Sequence, residues 1–316
     1  MFKPHFWLRL LLLAALLGTT PARALDFVAL GDMPYGDSPA IEATYHRLIA
    51  RINATRPAFS VHVGDFKSGG TECSDAAFVR QRDNFGRFDH PLVYTPGDNE
   101  WTDCHRRSNG AYAPIERLAR VRQLFFGPGI TLGKGPQPGL AQSESMPEFA
   151  EFVENRRWDA AGILFVTLHV VGSNNGFEAR SPTSSEEFFR RDRANRAWLT
   201  AAFDRARASG ARGIVVFMQA DPFAARALYD DFPTWSGFRG IIVETLLPLV
   251  RDWHKPVLLV HGDEHQFRND RPFHLDNAAV DNLFRIEVPG DRDMRAVLIH
   301  WHDQGETPFS AELLAP

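Results

Sequence analysis

Phe59-Ser60-Val61-His62-Val63-Gly64-Asp65 reads as a short buried strand that stops at a glycine and an acid. Three further runs stop the same way: Val28-Ala29-Leu30-Gly31-Asp32, Val93-Tyr94-Thr95-Pro96-Gly97-Asp98 and Leu259-Val260-His261-Gly262-Asp263. In α/β sheets the crevice beyond the carboxyl ends of the strands is where ligands bind. A glycine there lets the backbone turn sharply and come close to a ligand. Four carboxylates at neighbouring strand ends repel one another, and the usual remedies are protonation, a basic side chain or a metal ion. One Gly-Asp pair alone is a common turn. Gly290-Asp291, after Arg285–Pro289, is read as such a turn and left out of the set.

Helical patterns lie between these runs. Residues Ser38 to Asn53 carry Ile41, Tyr45, Leu48, Ile49 and Ile52 on one face, the spacing of an amphipathic helix. Further helices are predicted at Asp75–Phe88, Ala113–Phe126 and Ser185–Ser209. The last has Ser184 or Ser185 as N-cap, Glu186 and Glu187 in its first turn and Gly210 as its stop. Phe149–Arg157 and Ile163–Val171 read as a strand pair. Strands follow at Gly213–Met218, Val257–Val260, Phe284–Val288 and Ala296–Trp301, with two helices between the first two. This alternation predicts an α/β fold whose helices cover a largely buried sheet.

The chain has 316 residues, 44% hydrophobic and 23% charged, which excludes disorder and collagen-like repeats. Lys3 and Arg9 flank the apolar run Leu10–Leu17, Gly18 to Pro21 break it, and Ala22-Arg23-Ala24 supplies small residues at the cleavage positions. Residues 1–24 therefore read as a secretory signal peptide and 25–316 as a single domain. The alternative is an uncleaved membrane anchor, although the run is short for a bilayer. The mature protein is expected to be secreted or periplasmic, with no membrane span after signal removal. Cleavage removes Lys3, Arg9 and Arg23, leaving 39 acidic side chains against 35 less three basic ones. That acidity argues against a nucleic-acid coat, which needs a basic face. In an oxidising compartment Cys73 and Cys104 are expected to form one disulfide, and two buried free thiols are the alternative.

The order and spacing of the Gly-Asp motifs resemble those of the calcineurin-like metallophosphoesterases, purple acid phosphatases among them, over nearly all of residues 26–303. The resemblance implies a four-layer αββα sandwich with two metal sites bridged by the second Asp, and a metal-activated hydroxide that attacks phosphorus. Gly31-Asp32 matches the first motif, with Pro34 where many members have His and Tyr35 as a substitute oxygen donor. Gly64-Asp65 matches the second and implies the bridging carboxylate. Gly97-Asp98-Asn99-Glu100 resembles the third, with Asp98 for the ligand Asn and Asn99 for the catalytic His. Gln219 stands where a strand normally ends in a ligand His, and Gly262-Asp263-Glu264-His265 resembles the last motif with Asp263 for its first His. Ala194-Asn195-Arg196-Ala197-Trp198-Leu199 resembles the Gln-x-x-Trp-Leu stretch common in the family.

The implied ligand set is Asp32, Asp65, Asp98, Gln219, Asp263 and His265. Carboxylate and amide oxygens favour one or two hard ions, Mn²⁺, Mg²⁺ or Ca²⁺, over Zn²⁺ or iron. Asn99 donates a hydrogen bond but no proton, so general acid catalysis needs another residue. His105 is one, Arg106 or Arg107 would clamp a phosphate, and Lys67 is a further phosphate contact or a surface lysine. His62 and His261 are expected to be buried beside the motifs, His169 to reach the cleft rim, and His300 and His302 to share an exposed strand face. Trp198, Trp235 and Trp253 are read as core. The implied activity is hydrolysis of a small extracytoplasmic phosphate ester by a metallophosphoesterase. The alternative is a non-catalytic binding protein of the same fold that keeps a structural divalent ion.

Overall fold

The apolar runs become strands and the segments of helical period become helices. The computed structural model describes residues 25–223, 236–302 and 307–316. The signal peptide expected at 1–24 and Trp235 lie outside them. In chain order the strands are β1 (Leu25–Leu30), β2 (Ser60–His62), β3 (Leu92–Tyr94), β4 (Leu140–Ala141), β5 (Arg156–Ala160), β6 (Ile163–Thr167), β7 (Gly213–Phe217), β8 (Val257–His261), β9 (Arg268–Asp270), β10 (His274–Leu275), β11 (Ala278–Ala279), β12 (Leu283–Glu287), β13 (Ala296–Trp301) and β14 (Phe309–Leu314). One sheet runs β14-β13-β1-β2-β3 and the other β4-β5-β6-β7-β8-β12-β9, with β10 and β11 forming a separate ribbon.

The two sheets face each other across an apolar layer. Phe27, Val61 and Val297 from the first sheet pack in one buried cluster with Phe165, Phe217, Leu258 and Val260 from the second. Every residue of β6, β7 and β8 is buried, as expected of parallel strands covered on both faces. Helices Pro39–Thr55, Asp75–Phe85 and Pro114–Phe125 cover the outer face of the first sheet. Helices Pro182–Ser209 and Leu247–Trp253 cover that of the second, with Trp198, Leu199, Phe203 and Trp253 in its core. The layers are thus αββα, as the resemblance implied.

Local chemistry moves some boundaries. The long helix starts at Pro182 because the Ser181 side chain caps the Ser184 N–H and proline presets the first turn. Neither Ser184 nor Ser185 is the N-cap, so Glu186 and Glu187 fall beyond the first turn. Gly210, at φ 68°, ends the helix in the left-handed conformation that glycine tolerates. The strand expected from Phe149 begins only at Arg156, because Pro147–Phe149 forms a 3₁₀ turn.

Parallel pairing of β1 with β2 and of β2 with β3 brings the ends of three Gly-Asp strands side by side. Parallel pairing of β7 with β8 does the same for Gln219 and Asp263 on the other sheet. A disulfide joins Cys73 to Cys104, with Cα atoms 5.7 Å apart, and ties the loops that follow Asp65 and Asp98. Thiol titration of the denatured, unreduced protein should detect no free thiol, and two would reject the bond. Replacing both cysteines by serine should lower unfolding stability by about 2–5 kcal/mol in denaturant titrations.

Candidate metal centre

The glycines of the motifs leave space that neighbouring carboxylates fill. A Cβ on Gly97 would fall 2.0 Å from Asp65 Oδ1, and one on Gly262 would fall 2.0 Å from Asp32 Oδ2. Three of the four acids are held in the left-handed region, Asp32 at φ 52°, Asp65 at 55° and Asp263 at 85°. Side chains other than glycine seldom adopt it, and each instance costs about 1–3 kcal/mol that the surrounding structure must offset. Such strain concentrates at functional sites.

Asp32 is fully buried, and both its carboxylate oxygens accept from the Asp263 N–H at 3.2 Å. His265 Nε2 lies 3.6 Å from Asp32 Oδ1 and 3.2 Å from the Tyr35 hydroxyl. Asp65 is the hub. It accepts from the Asn99 backbone N–H at 3.1 Å, from Asn99 Nδ2 at 2.7 Å, and from the Tyr35 hydroxyl and Gln219 Nε2 at 3.3 Å each. Asp98 accepts from Ser173 Oγ at 2.6 Å, and Ser173 also reaches Asp103, which pairs with Arg106 at 2.5 Å. Gln219 Nε2 reaches Asp263 Oδ1 at 3.3 Å. Hydrogen bonds thus join Asp32 to Asp263, Asp263 through Gln219 to Asp65, and Asp65 to Asn99 beside Asp98.

Crowding these acids has an electrostatic consequence. Burial, and next the neighbouring Asp263, pushes Asp32 well above the usual carboxylate range. Burial followed by Asp98 and Glu100 does the same to Asp65. Burial raises Glu100 as well. Burial and the Asp65 charge push the Tyr35 hydroxyl up, so it stays protonated and able to donate. Burial lowers the His265 imidazole.

Several sequence expectations change here. The Gln219 amide oxygen accepts from the Gly172 N–H at 2.5 Å. A backbone N–H needs an acceptor, so the amide nitrogen must face Asp65 and Asp263. Gln219 therefore braces two carboxylates and does not present the expected oxygen donor. Lys67 is neither a surface residue nor free for a phosphate. It is 3% exposed and donates to the Asn99 and Ser68 carbonyls at 2.6 and 3.0 Å, which places a cation among the acids. His105 is exposed, with Nδ1 2.7 Å from the Thr102 carbonyl oxygen. Together with Arg106 it lines a cavity of about 430 Å³ shared with Trp101, Ser173 and Phe177.

His169 does not reach the rim. It is fully buried and bonds Glu154 at 2.7 Å, and Arg122 pairs with the same carboxylate at 2.6 Å. Burial alone would raise Glu154, but Arg122 and His169 outweigh it and hold the carboxyl below its ordinary range. Gly290-Asp291, set aside as a turn, lies against the site, since the Asp291 N–H donates to the Asp32 carbonyl at 2.8 Å. The arrangement of β12 beside β8 puts it there, which no local motif announces. His62 and His261 are buried, as expected, and burial pushes each imidazole down to about 4.

A dimetal phosphatase from Danio rerio superposes on this chain with a TM-score of 0.56 at 12% identity, covering 93% of this chain and 99% of that one. GAP50, the anchor in the inner membrane complex of Plasmodium, superposes at 0.52 and 14% identity, over 92% and 84%. The chain shares the overall fold of these two structures. No family model matches it, and no curated protein matches its sequence. At such identities the likeness shows the fold alone and leaves the chemistry to the residues.

Proposed function

We propose that this chain is a metal-dependent phosphoesterase that hydrolyses a small phosphate ester outside the cytoplasm, as one domain over 25–316 behind an export signal at 1–24. The reading is supported by the hydrogen bonds that link Asp32 to Asp263 and, through Gln219, to Asp65 across two sheets, with His265 beside Asp32 and Asp98 next to Asn99. The carboxyls of Asp32 and Asp65 are held above their usual range by burial, and next by Asp263 for Asp32 and by Asp98 and Glu100 for Asp65. That donor set fits a divalent cation, which relieves the repulsion without protonation. Asp32, Asp65, Asp98, Asp263 and His265 would hold one or two ions. Four carboxylates and one imidazole favour Mn²⁺, Mg²⁺ or Ca²⁺ over Zn²⁺ or iron.

A bound divalent ion supplies Lewis-acid chemistry, neutralising charge on phosphoryl oxygens and acidifying water. The chain's own residues do the rest. Asn99 and Gln219 fix the orientation of Asp65 through their amide N–H groups. Ser173 holds Asp98 and, through Asp103, connects it to Arg106. The cavity lined by His105, Arg106, Trp101 and Phe177 takes the organic part of the ester. The Tyr35 hydroxyl donates to the crowded carboxylate rather than ionising.

A second reading has its own support. Asp65 already accepts from two side-chain amides and a hydroxyl, so it is partly satisfied without an ion. A non-catalytic binding protein that retains one divalent ion would need no more. A screen of the mature protein with an aryl phosphate and a bis-aryl phosphate, one divalent ion at a time, separates the two. Hydrolysis that depends on Mn²⁺ or Mg²⁺ and is lost with chelator is the expected result. Metal binding without hydrolysis of either ester would leave the binding protein.

A further inference from the structure

A second cluster sits beside the first. His261 ends β8 and Glu287 ends β12, and the two are direct partners in the parallel register, so their side chains share one sheet face. Asp221 enters from the loop after β7. All three are buried, and one donor atom from each lies within 4.8 Å of the others.

Hydrogen bonding leaves one of these atoms unsatisfied. His261 Nδ1 lies 2.8 Å from the Gly262 carbonyl oxygen, which can only accept, so Nδ1 carries the proton. Nε2 then presents a lone pair. It is fully buried, has no hydrogen-bond partner among the described residues, and faces two carboxylates that also only accept when ionised. Buried polar atoms without partners are rare and call for an unseen ion or water. The carboxylates are better served. Asp221 Oδ1 accepts from the Phe223 N–H at 2.8 Å and Glu287 Oε1 from the Gln266 N–H at 3.0 Å. Their remaining oxygens share the Arg268 guanidinium, which bonds Glu287 and lies 3.5 Å from Asp221. Arg285 lies 3.9 Å from Asp221 and is committed to Asp270. Arg268 is the more exposed of the two arginines, with its side chain 32% exposed against 6% for Arg285.

We propose that Asp221, His261 and Glu287 form a separate binding site for a first-row divalent ion of borderline softness, typified by Zn²⁺, and that the Arg268 guanidinium stands in for the ion when it is absent. One imidazole with two carboxylates suits such an ion better than Mg²⁺ or Ca²⁺. The site adjoins the other, because the Asp221 N–H donates to Asp263 Oδ2 at 3.1 Å and Asp263 follows His261 by two residues. An ion here would fix the loop that presents Asp263, a positioning role distinct from hydrolysis.

The test is Zn²⁺ stoichiometry, measured by equilibrium dialysis of metal-stripped protein in excess Mg²⁺ followed by elemental analysis. Asp65→Asn provides the background in which the neighbouring centre is disabled. That variant should retain one Zn²⁺, and Asp65→Asn with Glu287→Gln should retain none. Loss of a residue that merely supports a ligand weakens metal binding roughly 10–100-fold, so loss of Glu287 itself should exceed that range. Arg268→Ala should tighten Zn²⁺ binding by removing the competing cation. Equal Zn²⁺ in the single and double variants overturns the site, as does loss of all Zn²⁺ in Asp65→Asn alone. Should the double variant fail to fold, an unchanged Zn²⁺ affinity in Arg268→Ala overturns it instead. If the main centre holds no metal, wild type and Asp65→Asn would still each bind one Zn²⁺, so the two readings fail separately.

Discussion

Asp65→Asn should bring metal-dependent hydrolysis of an aryl phosphate to the background of an enzyme-free control. The carboxylate lies where the two sheets meet, and it accepts from the Asn99 backbone and side chain, from Tyr35 and from Gln219. Asparagine keeps the volume but removes the charge. It also turns an N–H₂ group towards partners that are themselves donors, Asn99 Nδ2 and Gln219 Nε2, so the geometry around the hub loosens. Removing a single group that stabilises charge in a transition state costs roughly 100- to 1,000-fold in turnover. Loss of the proposed bridging acid should cost at least that, with weaker Mn²⁺ binding by calorimetry. Asp65→Ala should be equally inactive, which would show that the charge matters rather than the amide. Wild-type rates in both variants would mean that any hydrolysis comes from a contaminant, and the binding-protein reading would stand. Normal Mn²⁺ binding with lost turnover would keep Asp65 in the chemistry and take it out of the ligand set.

What could be read from the sequence was what local pattern determines. Apolar runs that end in Gly-Asp read as buried strands, and hydrogen bonds link the acids that follow three of them, Asp32 to Asp263 and, through Gln219, to Asp65. The glycines could be anticipated because close packing leaves no room for a Cβ, as Gly97 against Asp65 and Gly262 against Asp32 show. What stayed hidden depends on partners distant in sequence. The Gln219 amide is oriented by the Gly172 N–H, 47 residues away, and nothing near Gln219 announces that donor. Lys67 looks like a surface lysine until the Asn99 carbonyl is found above it. His169 reads as a rim residue because a strand ends there ahead of Gly172-Ser173-Asn174-Asn175, and the partner that buries it, Glu154, comes from another element. Gly290-Asp291 and the His261–Glu287 pair both follow from β12 lying beside β8, and sheet order is not written in any single strand.

Asn99→His should raise turnover most on esters with poor leaving groups. Asn99 is 7% exposed, and its amide nitrogen donates to Asp65 Oδ2 at 2.7 Å and to the Tyr35 hydroxyl at 3.1 Å. An amide in that position orients Asp65 but has no proton to give to a departing alkoxide. A protonated imidazole can keep one N–H on Asp65 and give the proton of the other nitrogen to the leaving oxygen, ending neutral. General acid catalysis contributes roughly 100- to 10,000-fold where the leaving group needs a proton, and little where it does not. The gain should therefore be large for alkyl phosphates and small for nitrophenyl phosphates, and the dependence of rate on leaving-group pKa should flatten. The ring is larger than the amide, and a Cβ on Gly69 would already fall 2.9 Å from Asn99 Oδ1, so Tyr35 must yield for the imidazole to fit. His105→Ala is the companion measurement. His105 is exposed, bonded to the Thr102 carbonyl and placed on the neighbouring cavity. Its loss should raise KM for all esters alike and leave the leaving-group dependence unchanged. A steeper dependence in His105→Ala would make His105 the acid. A uniform response of alkyl and aryl esters to Asn99→His would mean that proton donation at this position does not limit the reaction.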